Sequence, residues 1–102
     1  MTRYFISFKL NSAIFPADPK VALEVAEANF AASDEMLKTG ILKDIGTFNP
    51  GEGYMIVEFP SLEEAYKFAE AWYPHMSTDV REIISWEKTK EIALSNRREQ
   101  VK

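Results

Sequence analysis

Gly46-Thr47-Phe48-Asn49-Pro50-Gly51-Glu52-Gly53-Tyr54-Met55-Ile56-Val57-Glu58-Phe59-Pro60-Ser61-Leu62-Glu63-Glu64-Ala65 holds a strand end, a glycine-rich turn, a second strand and the start of a helix. Asn49-Pro50-Gly51 with Gly53 offers one proline-fixed φ and two residues free to take φ > 0, which a strand reversal needs. Tyr54 to Phe59 is aromatic and β-branched, as a strand should be. Pro60 ends the ladder. Ser61, with Glu64 three residues on, is a capping box for the helix that follows. Gly51-Glu52-Gly53 resembles a phosphate loop only superficially: it precedes a strand and carries an acid, so it reads as a hairpin turn.

Upstream, Arg3 to Leu10 alternates, with Tyr4, Ile6, Phe8 and Leu10 on one side and Phe5, Ser7 and Lys9 on the other. That period predicts a strand. Asn11 to Pro19 is a connector with Pro16 and Pro19, and Asp18 is a good N-cap for a helix opening at Pro19. The helical pattern runs to about Lys38, with Ala22, Leu23, Ala26, Phe30, Ser33 and Leu37 as the expected stripe. Ser33-Asp34 could kink it, and Gly40 is the expected left-handed stop. Ile41 to Phe48 is the second strand, an edge strand whose Gly46 suggests a bulge or a close neighbour.

Downstream, the second helix spans Leu62 to about Tyr73. Its inner face is Leu62, Ala65, Phe68, Ala69 and Trp72, and Pro74 ends it. His75 to Asp79 is expected as a loop and Val80 to Trp86 as the fourth strand. The charged tail from Glu87 to Lys102 is expected to form a short helix or to fray. The order β-α-β-β-α-β predicts an α+β, ferredoxin-like domain over residues 1–102, plus a C-terminal helix: a four-stranded antiparallel sheet with two helices on one face.

The totals narrow the function. In 102 residues, 46% hydrophobic and 13% aromatic content leaves material for a core and for a second covered surface. A formal net charge of −4 argues against general nucleic-acid binding, which needs a basic face. Cysteine is absent, so there is no disulfide frame, thiol nucleophile or cysteine metal site. No stretch approaches a membrane span and the first ten residues alternate, so a cytoplasmic protein without membrane partners is expected.

Two helices cover one face of such a sheet; the other must be polar or be buried by something else. Its predicted members are Phe5, Ser7 and Lys9 in the first strand and Tyr54, Ile56 and Glu58 in the third. The set is too apolar for water alone and too polar for a simple core. A second copy packed sheet to sheet would account for it, with Lys9 and Glu58 as paired charges.

With this order, length and mixed face, the chain resembles the dimeric α/β-barrel superfamily, which includes muconolactone isomerases and antibiotic-biosynthesis-type monooxygenases. More narrowly, Gly51 to Glu58, Ser61 to Ala65 and Trp72-Tyr73-Pro74-His75 resemble a family of unknown function in that group. The resemblance covers most of residues 3–86. It implies a homodimer with facing sheets, and often a small-molecule cavity between sheet and helices; one such fold hosts many activities.

His75 is the only histidine, which excludes a histidine-pair metal site within one chain, and no metal or cofactor is expected. Its imidazole suits general acid–base work, or it simply faces solvent at the helix end. With Tyr73 and Arg81 it forms the candidate catalytic set. Trp72, Trp86 and His75 are the candidate lining for an aromatic or anionic ligand, although Trp72 at helical spacing from Phe68 also suits a core position. No Ser-His-Asp or paired-carboxylate arrangement emerges. Three functions remain: a homodimer binding a small hydrophobic or aromatic ligand, a cofactor-independent isomerase or monooxygenase on a cyclic compound, and an interaction module docking through its tail.

Overall fold

A computed structural model describes residues 1–101. Its elements are β1 (Thr2–Leu10), α1 (Pro19–Thr39), β2 (Leu42–Asn49), β3 (Glu52–Phe59), α2 (Leu62–Glu70), β4 (Met76–Glu82) and α3 (Trp86–Gln100), with one 3-10 turn at Ser12–Ile14. The strands form a single antiparallel sheet in the order β2-β3-β1-β4. This α+β arrangement is compatible with a ferredoxin-like fold. No helix among the described residues is long and apolar enough to cross a membrane.

The capping chemistry sets the helix starts. Asp18 accepts the Lys20 backbone N–H at 3.0 Å, Ser61 Oγ accepts that of Glu64 at 3.3 Å, and Ser85 Oγ accepts that of Lys88 at 3.1 Å. Gly40 closes α1 at φ 85°. Gly51 takes φ 79° in the β2–β3 turn, but Gly53 does not adopt a positive φ. Gly53 is required for another reason: it is buried where a side chain would meet the Gly46 carbonyl oxygen and the Phe8 ring.

The core lies on one side of the sheet. Tyr4, Ile6, Leu42, Met55 and Val57 are buried there with Ala65 and Ala69 of α2. Ile6, Leu42 and Val57 are fully enclosed, each contributing about 1.5–3 kcal/mol through removal of apolar surface from water. Phe59 and Phe68 extend this layer, with Phe68 tilted on Phe59 at 5.4 Å and edge-on to Trp72 at 6.3 Å.

Four sequence expectations are corrected. The fourth strand lies at Met76–Glu82, not Val80–Trp86, because hydrogen bonding fixes its start. The Asn11 N–H donates to the His75 carbonyl at 2.8 Å, which brings Met76 opposite Leu10. Trp86 consequently opens α3. Helix α1 is unbroken through Ser33-Asp34. Its half-buried residues are the small Ala22, Ala26 and Ser33 together with Met36, whereas Leu23, Phe30 and Leu37 are exposed. Finally, α2 stops at Glu70 and leaves Leu62 exposed.

Candidate functional site: the open face of the sheet

Strand pairing determines which side chains share the uncovered face. Since Tyr4, Ile6, Met55 and Val57 point into the core, their neighbours in β1 and β3 point the other way. Arg3, Phe5, Ser7 and Lys9 therefore stand beside Glu58, Ile56, Tyr54 and Glu52, each opposite its named partner in that order. From β4, Arg81, Asp79 and Ser77 join the same face opposite Phe5, Ser7 and Lys9. All six positions expected on this face are brought together.

The edge strand β2 completes the surface through two irregularities. Leu42 pairs with Val57 and Asp44 with Ile56, so Lys43 is an extra residue; Thr47 pairs with Gly53 and Asn49 with Glu52, so Phe48 is a second. A bulge can re-aim a side chain in this way. Lys43 Nζ reaches Glu58 at 3.7 Å, and Phe48 stacks on Tyr54 with ring centroids 5.6 Å apart. Phe5 stacks on the Tyr54 ring from the neighbouring strand, also at 5.6 Å and only 6° from parallel. Tyr54 is thus the centre of a three-ring row. Gly46 leaves room for it, since a Cβ there would come within 2.7 Å of the Tyr54 ring.

Charges surround the rings in compensated sets. Glu58 receives Arg3 Nε at 3.1 Å as well as Lys43. Lys9 meets Glu52 at 3.6 Å, and Arg81 meets Asp79 at 2.9 Å. Lys9 is therefore paired with Glu52 and not with Glu58, because the turn at Pro50-Gly51 places Glu52 directly across the ladder. These exposed pairs are individually weak in water.

The Tyr54 hydroxyl donates to Asp44 Oδ2 at 2.7 Å. That bond, with some desolvation and the Asp44 charge, raises the phenol above its ordinary value. The neutral phenol is the favoured form, so this contribution to stability is complete below the ordinary tyrosine value and is lost as pH climbs through the raised one. In an alkaline absorbance titration, Asp44→Asn should shift one phenol step to lower pH. Tyr54→Phe should remove that step; a profile unchanged by either substitution would rule out this coupling.

A shallow depression of about 370 Å³ opens at one end of this face, with Ser7, Lys9, Phe48, Glu52 and Asp79 in its lining. A second, about 310 Å³, lies beside Leu10, Asn11, Tyr73 and Pro74. Neither is lined by Trp72, His75 or Trp86. His75 precedes β4 and Trp86 follows its end by four residues, so the whole strand, roughly 20 Å at about 3.3 Å per residue, lies between them along the chain. Trp72 is half-buried with its ring edge-on to Phe68, and Trp86 is exposed. Arg81 stands near the far end of β4 from Tyr73 and His75. The candidate catalytic and ligand-lining sets are thus not assembled within one chain. Among the described residues, no group of three His, Cys, Asp or Glu side chains could hold a metal ion.

Sequence reasoning missed Phe48, Lys43 and Asp44 as members of the face. Gly46 was the available signal, since it marked a close neighbour in this strand. No protein-family model matches the chain, and no curated protein matches it in sequence.

Proposed function

We propose that the protein works as a homodimer in which two open sheet faces close on one another, in the manner of a dimeric α/β barrel, to bind a small apolar or aromatic compound. The observation that carries this reading is the row Phe5–Tyr54–Phe48, three aromatic rings on a face that no helix among the described residues covers. Rings at this density suit contact with another protein surface or a flat ligand. The paired charges around them allow burial without an uncompensated ion. A second copy would roof the depression beside Phe48, Lys9 and Asp79, giving a ligand both an aromatic wall and polar ends.

Binding takes precedence over catalysis, because His75, Tyr73 and Arg81 are not gathered at one point. Native mass spectrometry of protein purified without added ligand provides the test. The expected spectrum is a dimer carrying extra mass that denaturation releases. A clean dimer would remove the ligand and keep the assembly. A monomer at micromolar concentration would overturn the sheet-to-sheet pairing.

A further inference from the structure

The molecule is longer than its sequence length calls for. Its radius of gyration is 17.8 Å and its longest extent 67 Å, whereas a compact chain of about 100 residues has a radius near 13 Å. The excess comes from the helices. Among the described residues, helix α3 approaches no other element closely, and α1 approaches only β2.

Both helices carry an uncovered stripe, and the two stripes match. On α1, Leu23, Phe30 and Leu37 recur every seven residues and are exposed, with Glu27 and Asp34, themselves seven apart, in the same sector. On α3, Trp86, Ala93 and Leu94 share one sector with Lys90 and Arg97, again seven apart. Seven residues advance a helix by about 10.5 Å and return it close to the same face. The two acids of α1 stand beside its apolar row and the two bases of α3 between Trp86 and Leu94 around the helix, so the two pairs share one seven-residue spacing with opposite charge. Lys90 also reaches Glu87 at 2.9 Å, and Arg97 donates to the Ala93 carbonyl at 3.3 Å. Both are exposed local contacts that a closer partner can replace.

The two helices leave opposite edges of the sheet. Helix α1 lies by β2, and α3 follows β4 after only Ile83-Ile84-Ser85. Strands β3 and β1 stand between, roughly 14 Å of sheet at about 4.8 Å per strand. We infer that α3 of one chain docks along α1 of a second copy, Trp86 and Leu94 covering Phe30 and its neighbours while Lys90 and Arg97 face Glu27 and Asp34. This exchange does not require the sheet-to-sheet pairing, and either can hold without the other.

Two full-length charge-reversed proteins test it, Glu27→Lys with Asp34→Lys, and Lys90→Glu with Arg97→Glu. Each alone should associate about tenfold or more weakly, since both contacts in its dimer become repulsive. Mixed, they should form heterodimers at parental strength, because each helix then meets an opposite charge. Circular dichroism should show unchanged folding for both, as all four side chains are exposed. Lack of rescue on mixing would overturn the exchange, including the case in which α3 folds onto its own α1. So would reversed proteins that dimerise like the parent, or a monomeric parent. Cysteine reporters give a second reading: in this cysteine-free chain, Phe30→Cys and Ala93→Cys proteins should cross-link on mild oxidation when mixed, and failure to do so counts against the contact. If Phe5→Ala with Tyr54→Ala leaves the dimer intact while charge rescue still works, the sheet pairing fails and the helix exchange stands.

Discussion

A protein carrying Phe5→Ala and Tyr54→Ala should associate about a hundredfold or more weakly than the parent if the open faces pair as proposed. Aromatic side chains at the centre of a desolvated interface typically cost at least about 2 kcal/mol each when truncated, roughly thirtyfold apiece. In the proposed dimer Tyr54 would occupy such a centre, since it stacks on Phe5 on one side and Phe48 on the other. The substitutions should not unfold the subunit, because both rings point away from Ile6, Leu42 and Val57. The intrachain stack contributes only about 0.5–1.5 kcal/mol. Light scattering for mass, with thermal melting for fold, would separate the two effects. Tyr54→Phe is the matched control: it keeps the ring, loses only the bond to Asp44, and should leave the dimer largely intact. A double-alanine protein that associates as tightly as the parent would mean that this face is simply a solvated sheet surface.

The open face could be anticipated because period-two alternation in Arg3–Leu10 and Tyr54–Phe59 depends on the strand alone. Caps were equally local: Asp18, Gly40 and Ser61 each act on a backbone group within three residues. What escaped the sequence depends on the partner strand. Ile83, Ile84 and Trp86 look like strand residues, yet pairing with β1 ends β4 at Glu82, and the Ser85 cap commits the next residues to helix. In α1 the large apolar residues suggested the inner face. The half-buried positions are instead Ala22, Ala26, Ser33 and Met36, of which Met36 packs on the core, while Leu23 and Phe30 lie outside. The same distinction governs the charges. Lys9 and Glu58 share a face by alternation, but the ladder count from the turn decides that Lys9 meets Glu52.

Gly53→Ala should lower stability by about 1–3 kcal/mol or more, as overpacking of a tight site does, which for a domain of this size means a fall in Tm on the order of 10 °C. The added methyl would run into the Gly46 carbonyl oxygen on the adjacent strand and come within 2.7 Å of the Phe8 ring. Phe8 can swing by a few tenths of an ångström, but the carbonyl moves only if β2 moves. Between Thr47 and Asn49, β2 carries the bulge whose extra residue is Phe48. Relief of the clash should therefore tilt Phe48 off Tyr54 and weaken the proposed dimer as well as the fold. Gly51→Ala is the contrasting case: its φ of 79° costs a side chain about 1–2 kcal/mol, but the nearest atom, Leu10 Cβ, is 3.8 Å away, so the strand stays in place. Melting should fall in both proteins, and only Gly53→Ala should also lose association. If Gly53→Ala melted lower but dimerised like the parent, Phe48 would not be part of the interface, and contact across the face would rest on Phe5, Tyr54 and Ile56 alone.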